Sequence, residues 1–389
     1  MKVLVIGAGV AGVAAAHRAR ARGAEVRLVH RVAGATELSS GAIDYVPWTQ
    51  PERQPESGLI SAFLNELDLW TLAGKTLVAT TSGVVRRAAG ADRALLNLAP
   101  LAGSVIAVPD VDRDDWDARL FVHALRESAW TRATSTRFEL VRVPLLFESH
   151  ERRIAPHDFA ALHDGDERRR WFCERLGNAG SPDAWLVGPW LGTEPGTAAA
   201  IARELGLPVG EATSMPGGPA GARFARARQR LLARAGVDVR QQSVQCVRRR
   251  GSRWEAVLEN GEVLHADAVV VAIGGVAAGG VLLENRIRQM SHASFRLSLE
   301  APVELLIRQE RAESVASAHG FDFGARGLTV LEHVGARVLP GSEGLHLAGD
   351  VVAGRPNTIL MAIESGLVAS DEICAGLAQP FRPGSEFTG

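Results

Sequence analysis

Three glycines near the start of the chain, Gly7, Gly9 and Gly12, stand in the spacing Gly-x-Gly-x-x-Gly. A run of β-formers, Met1 to Ile6, leads into them, and a small-residue helix, Ala14 to Arg22, follows and is stopped by Gly23. In that setting each glycine has a task. Gly7 permits a tight turn, Gly9 lets backbone approach a pyrophosphate, and Gly12 lets helix and strand pack closely, with the first amides of the helix facing the anion. The chemistry this predicts is the binding of a dinucleotide; the plain alternative is a tight strand-to-helix turn. The second strand, Val26 to Val29, leads into His30-Arg31 where an acid usually holds the adenine ribose. Arg31 suits either a phosphate contact or a solvated surface, and the sequence does not choose between them.

Three further segments could meet the same ligand. Ser39-Ser40-Gly41 offers two hydroxyls and a bare amide, suited to phosphate or flavin atoms, or to an ordinary Ser-Gly turn. Ala272-Ile273-Gly274-Gly275 and Gly349-Asp350 each follow an apolar run that reads as a strand, so both are expected at the carboxyl edge of a parallel sheet. A carboxylate there costs desolvation unless it accepts hydrogen bonds, and a ribityl chain has hydroxyls to give. The alternative role for Asp350 is that of a helix-capping acid.

For substrate chemistry the residues say less. Arg86 and Arg87, on a predicted strand, could clamp a carboxylate or phosphate through their planar forks of donors, or lie solvated. His292, His319 and His333 are candidates for proton transfer, but no spacing singles one out. Asp110, Asp112 and Asp114 begin like a calcium loop that Asp115 and Phe121 then break. Cys173, Cys246 and Cys374 lie too far apart in sequence for a cysteine-ligated iron–sulfur cluster or zinc knuckle, and no metal site is expected.

Elements must bring these segments together. The 389 residues suffice for about two domains. With 43 basic and 44 acidic side chains the formal charge is -1, which removes the field a general nucleic-acid binder needs. Hydrophobic residues at 46% and charged residues at 22% suit a soluble globular protein. No uncharged stretch is longer than Ala268 to Leu283, which is shorter than a bilayer span, and a cytoplasmic location is expected. Asn260-Gly261 between Trp254–Leu258 and Val263–His265 predicts a hairpin, Ala268 to Ile273 a buried parallel strand, and Thr358 to Ala375 a helix.

The expected fold class is α/β: a Rossmann-like FAD-binding domain, discontinuous in sequence, with an inserted α+β cap that holds substrate or a partner. Its pieces are residues 1–74, 222–285 and 341–389, with the cap formed by 75–221 and 286–340.

The chain resembles the two-dinucleotide-binding-domain flavoproteins related to fumarate reductase. Within them it is most similar to the flavin-bearing subunit of the anaerobic glycerol-3-phosphate dehydrogenase that works alongside a catalytic FAD subunit and an iron–sulfur, membrane-associated one. The resemblance is carried by Met1 to Tyr45 with Leu38-Ser39-Ser40-Gly41-Ala42-Ile43-Asp44, and by Thr80-Thr81-Ser82-Gly83-Val84-Val85-Arg86. It continues through the helix at Gly221, Val269 to Gly280 with Leu282-Leu283-Glu284, and Leu345 to Gly354. It implies FAD, ahead of FMN, contacted by Gly7, Gly9, Gly12, Arg31, Ser39, Ser40, Gly41, Val244, Ala272, Gly274, Gly349, Asp350, Thr358 and Ile359. It also implies a small-molecule substrate such as a polyol phosphate, hydroxy acid or amine. Partner subunits, a second flavoprotein or an iron–sulfur protein, would then lie between the chain and any membrane. A non-catalytic subunit that holds flavin and relays electrons is the alternative. Gly349-Asp350 departs from the family member named, which often lacks the acid, and brings the chain nearer to ordinary FAD binding.

Overall fold

Val269, Val270 and Val271 are buried on both faces of their strand, as a continuous apolar run inside a parallel sheet must be. The computed structural model describes residues 1–31, 34–44, 58–284, 292–307, 334–355 and 357–376. Contacts divide the chain into two units. One comprises Met1–Gly34, Leu232–Asn357 and Met361–Gly389; the other comprises Ala35–Leu231 and Thr358–Leu360. The divisions fall at 34/35 and 231/232, where the composition of the sequence suggests 74/75 and 221/222.

The first unit is built on a five-stranded sheet in the order Asp238–Gln241, Glu25–His30, Lys2–Ile6, Ala268–Val271, Leu345–Leu347. Every pairing in it is parallel. Leu4, Ile6, Val29, Val269 and Val271 form one core with Val247, Trp254, Ala256, Leu258 and Leu264 of a second sheet. That sheet holds Val263–Ala266, Arg253–Leu258, Val244–Arg250 and Ser298–Glu300, and contains the hairpin expected at Asn260-Gly261. Because side chains alternate across a strand, Val3 and Val5 face the other way, toward the helix Val10–Ala21. The last helix, Ile359–Gly376, touches that helix through small residues: a Cβ on Gly366 would lie 2.1 Å from the Ala11 carbonyl oxygen, and Ser370 Oγ donates to the Ala15 carbonyl at 2.7 Å.

The second unit also has a parallel sheet, which the irregular middle of the sequence does not announce. Its order is Arg137–Arg142, Val105–Asp110, Ala184–Val187, Val209–Glu211. The helix Ala118–Glu127 follows the strand Val105–Asp110 and is capped by the Asp117 side chain, which accepts from Leu120 N. An antiparallel sheet of Ala42–Ile43, Val85–Asp92 and Trp70–Ala79 completes the unit. The mixed α/β fold with parallel sheets is the one the residue pattern predicts.

Candidate functional site

In an open parallel sheet a ligand crevice forms at the carboxyl ends of the strands, where the strand order reverses. In the first unit that point lies between Lys2–Ile6 and Ala268–Val271, and the next residues are Gly7 and Ala272. Gly7 has φ 113°, and a Cβ on it would lie 2.2 Å from the Ala272 carbonyl oxygen. A Cβ on Gly12 would lie 2.0 Å from the Gly7 carbonyl oxygen. Gly9 is the N-cap of the helix; it brings no capping side chain, and the first turn carries no acid. An anion therefore meets a helix start with favourable dipole and no competing carboxylate. Gly34, which the sequence pattern does not single out, comes so near Gly9 that a Cβ would lie 2.9 Å from its Cα.

The third and last segments arrive at the same edge. Gly274 has φ 79°, and a Cβ on Gly275 would lie 2.6 Å from the Asp350 carbonyl oxygen. Gly349 has φ 78°; it donates its N–H to Ser365 Oγ at 3.1 Å and sits against Ala11. Ser365 is thus a residue of the site that sequence reasoning misses, although Ser365-Gly366 between apolar residues of the last helix is a visible signal. Asp350 occupies a short 3-10 turn rather than the cap of a long helix. Burial pushes its carboxyl up to about 6, and no hydrogen bond or ion pair to any described residue opposes that. Val244 opens its strand and packs against the core between the sheets, and Arg31 is exposed.

The residues present fit a flavin dinucleotide on this unit alone. Glycines let backbone approach backbone where a Cβ would clash, and a half-buried carboxylate sits beside them with no donor among the described residues. Gly7→Ala combines a forbidden φ with a collision against backbone. It is expected to lower stability by about 2 kcal/mol or more, read as a shift in the urea midpoint.

Ser39, Ser40, Gly41, Thr358 and Ile359 belong to the second unit. Ser39 Oγ accepts from Gly41 N at 3.1 Å, and Ser40 Oγ from Ala42 N at 3.5 Å. Arg86, read from sequence as a substrate clamp, is paired with Asp44. Burial raises the Asp44 carboxyl despite that partner. Arg87, one residue on, is exposed. His319 and His333 lie outside the described residues, as does the side chain of His292. His163 is buried, bonds the Trp190 carbonyl through Nδ1 at 2.9 Å, and is driven down to about 3 by desolvation, so it is a neutral core residue.

The parallel sheet of the second unit has a reversal point of its own, between Val105–Asp110 and Ala184–Val187, and it is packed with side chains. Trp116 and Trp190 meet there edge to face at 5.2 Å, and Arg113 lies over Phe159 at 4.3 Å. Its guanidinium donates to the carbonyls of Glu151 and Ile154 and to both Asp115 oxygens. Among the described residues no group of acids, histidines and cysteines could hold a metal, and no helix is long and apolar enough to cross a membrane.

Residues 2–60 match the FAD binding domain family. FAD is the dinucleotide that this match assigns to the glycine turn. A comparison with curated proteins finds no match. Among solved structures the chain is similar to glycine oxidase from Geobacillus kaustophilus, at 13% identity and TM-score 0.36, over 98% of this chain and 96% of that one. It is similar to iminodiacetate oxidase from Chelativorans sp. BNC1, at 16% and 0.33, over 99% and 97%. Against FqzB the identity is 11% and the TM-score 0.25, with 70% of this chain covering only 36% of FqzB. The chain thus spans about a third of that protein's length. Likenesses at this level leave the functional argument to the chain's own residues.

Proposed function

We propose that the chain is an FAD-dependent oxidoreductase, acting on a small organic substrate such as a polyol phosphate, hydroxy acid or amine and passing the electrons to a partner. The observation that carries this reading is Asp350, a half-buried carboxylate with no donor among the described residues, set beside the glycine turn at the reversal point of a parallel sheet. Gly7, Gly9 and Gly12 would hold the pyrophosphate, and Ala272, Gly274 and Gly349 would admit the cofactor's body against bare backbone. Asp350 would accept hydrogen bonds from ligand hydroxyls, and Val244 and Arg31 would line the adenosine end. Ser39, Ser40, Gly41, Thr358 and Ile359 stay candidates for cofactor contact on the sequence pattern. Bound FAD would supply a hydride acceptor at N5, while the protein supplies position and electrostatics.

A dehydrogenase component resembling the flavin-bearing partner of the catalytic chain in anaerobic glycerol-3-phosphate dehydrogenase fits this reading, with a second flavoprotein or iron–sulfur protein as partner. One observation favours a second reading, a flavin-holding relay that does not meet substrate: Arg86 is tied to Asp44, so the residue expected to clamp substrate is already engaged.

The purified chain is expected to be yellow and to release FAD on denaturation, identified by mass. Gly9→Trp is expected to remove the flavin and leave the protein folded; normal flavin content in that variant would exclude the site. Anaerobic bleaching of the flavin by a panel of polyol phosphates, hydroxy acids and amines would support the enzyme. Bleaching only in the presence of a co-purified partner would support the relay.

A further inference from the structure

We propose that Ser365 is a positioning residue of the cofactor site: carried on the last helix, its hydroxyl oxygen holds the Gly349 N–H and so sets the Asp350 carboxylate at a fixed distance from the pyrophosphate turn. The inference rests on the reading above, in which Gly7, Gly9 and Gly12 hold the pyrophosphate and Asp350 meets ligand hydroxyls. All of these residues belong to the first unit.

The last helix is registered against the helix that begins at Gly9. Gly366 closes on the Ala11 carbonyl, and Ser370 Oγ donates to the Ala15 carbonyl one turn on. Asp371 grips the far end: Oδ1 and Oδ2 accept from Arg18 Nε and Nη2, both at 2.9 Å, and Oδ1 also accepts from Arg22 Nε at 3.0 Å. Neither helix can slide along the other without breaking that planar fork.

The same helix reaches the turn after the strand Leu345–Leu347 through one side chain. Ala348 N still donates to the Val271 carbonyl, at 3.0 Å. Gly349 N has left the sheet and donates to Ser365 Oγ at 3.1 Å instead, in the core. A Cβ on Gly349 would lie 2.8 Å from the Ala11 Cβ, so Gly349 and Gly366 both close on Ala11, two residues after Gly9. Ser365, the neighbour of Gly366, ties the three backbones together. Val352 N donates to the Gly349 carbonyl at 2.9 Å and completes the turn around Asp350. The hydrogen bonds of the turn thus fix its backbone, and the half-buried Asp350 carboxylate is left without a partner among the described residues.

Helix stability does not explain a serine here. Ser365 is 4% exposed, and alanine has the higher helix propensity and fills nearly the same space. What alanine cannot do is accept the Gly349 N–H. Without that acceptor the turn relieves a buried donor by rotating it toward water, and Asp350, the next residue, moves with it.

A double-mutant cycle on the full chain tests this with FAD and with ADP, which shares the adenosine and pyrophosphate but lacks the ribityl chain and flavin. Ser365→Ala is expected to lose about tenfold in FAD affinity at neutral pH and to bind ADP within about twofold of the unaltered chain. In the Asp350→Ala background the same change is expected to cost FAD no more than about twofold, because it acts through a carboxylate already removed. Ser365→Cys keeps the volume with a weaker acceptor and is expected to lose about threefold; the cycle is read on it if Ser365→Ala does not fold. An equal loss of FAD with and without the Asp350 carboxylate, a loss of ADP as large as that of FAD, or no loss of either overturns the positioning role. A parent chain that binds neither nucleotide overturns the cofactor reading instead, and with it this inference.

Discussion

Flavin affinity is expected to fall as pH drops through about 6, and to stop responding to pH once Asp350 is replaced by Asn. The cause is the state of one carboxyl. Burial beside Gly275 raises Asp350 from its usual 3.8 to about 6, with no donor or cation among the described residues to offset the desolvation. In the ligand-free protein the folded-state value lies above the unfolded one. The stability this group contributes is therefore present below about 3.8 and lost as pH rises through about 6, by about 3 kcal/mol at most. Hydroxyl donors from a ribityl chain reverse the balance, because they favour the ionised form. FAD should then bind most tightly above pH 6 and more weakly in acid, and should stabilise the fold most where the free protein is strained. Asp350→Ala removes the acceptor and should weaken FAD by about ten- to a hundredfold at neutral pH, the worth of a hydrogen bond to a charged group. Asp350→Asn keeps an acceptor oxygen without the titration. Fluorescence titrations of FAD at several pH values decide the matter: an unaltered pH profile in Asp350→Asn would show that this carboxylate does not meet the cofactor.

The first unit is largely legible in the sequence because its signals are local. The run of β-formers from Met1 to Ile6, the continuous apolar run before Ala272 and the Asn260-Gly261 turn each specify an element from a few neighbouring residues. The glycine spacing at 7, 9 and 12 is legible because the three stand within six residues, between a run of β-formers and a helix. Gly34, Ser365 and Gly366 escape notice because their partners, Gly9, Gly349 and Ala11, lie far along the chain, and a small residue does not say in sequence what approaches it. The second unit is harder still. Its parallel strands are three to six residues long, and the segments between them bury charged and polar groups such as Arg113, Glu151 and His163, so hydrophobic periodicity is weak there. Asp92, Glu211 and Arg223 look like three more charges in a chain whose charges are mostly solvated. Only the fold shows that one guanidinium answers both acids.

That shared guanidinium makes Arg223→Met the substitution with the largest expected cost in stability, about 3–5 kcal/mol at neutral pH. Met fills the volume but supplies no donor, so Asp92 Oδ2 and Glu211 Oε2 would lose the partner they share in the core. Even with Arg223 present, desolvation outweighs its attraction and pushes Glu211 up to about 7 from 4.5, while Arg223 itself is held firmly charged between its two acids. A carboxyl whose folded value is raised contributes stability below its unfolded value of about 4.5 and loses it as pH climbs through about 7. Without the guanidinium that rise is steeper. The deficit of Arg223→Met should therefore be greatest above pH 7 and shrink toward about pH 5, where protons replace the missing partner. The triple variant Asp92→Leu/Arg223→Met/Glu211→Leu, which buries no unpaired charge, should show neither the deficit nor its pH dependence. Urea unfolding of the three proteins on both sides of pH 7 separates these outcomes, and a single-variant deficit that stays constant with pH would mean that the carboxylates are not the source of the cost.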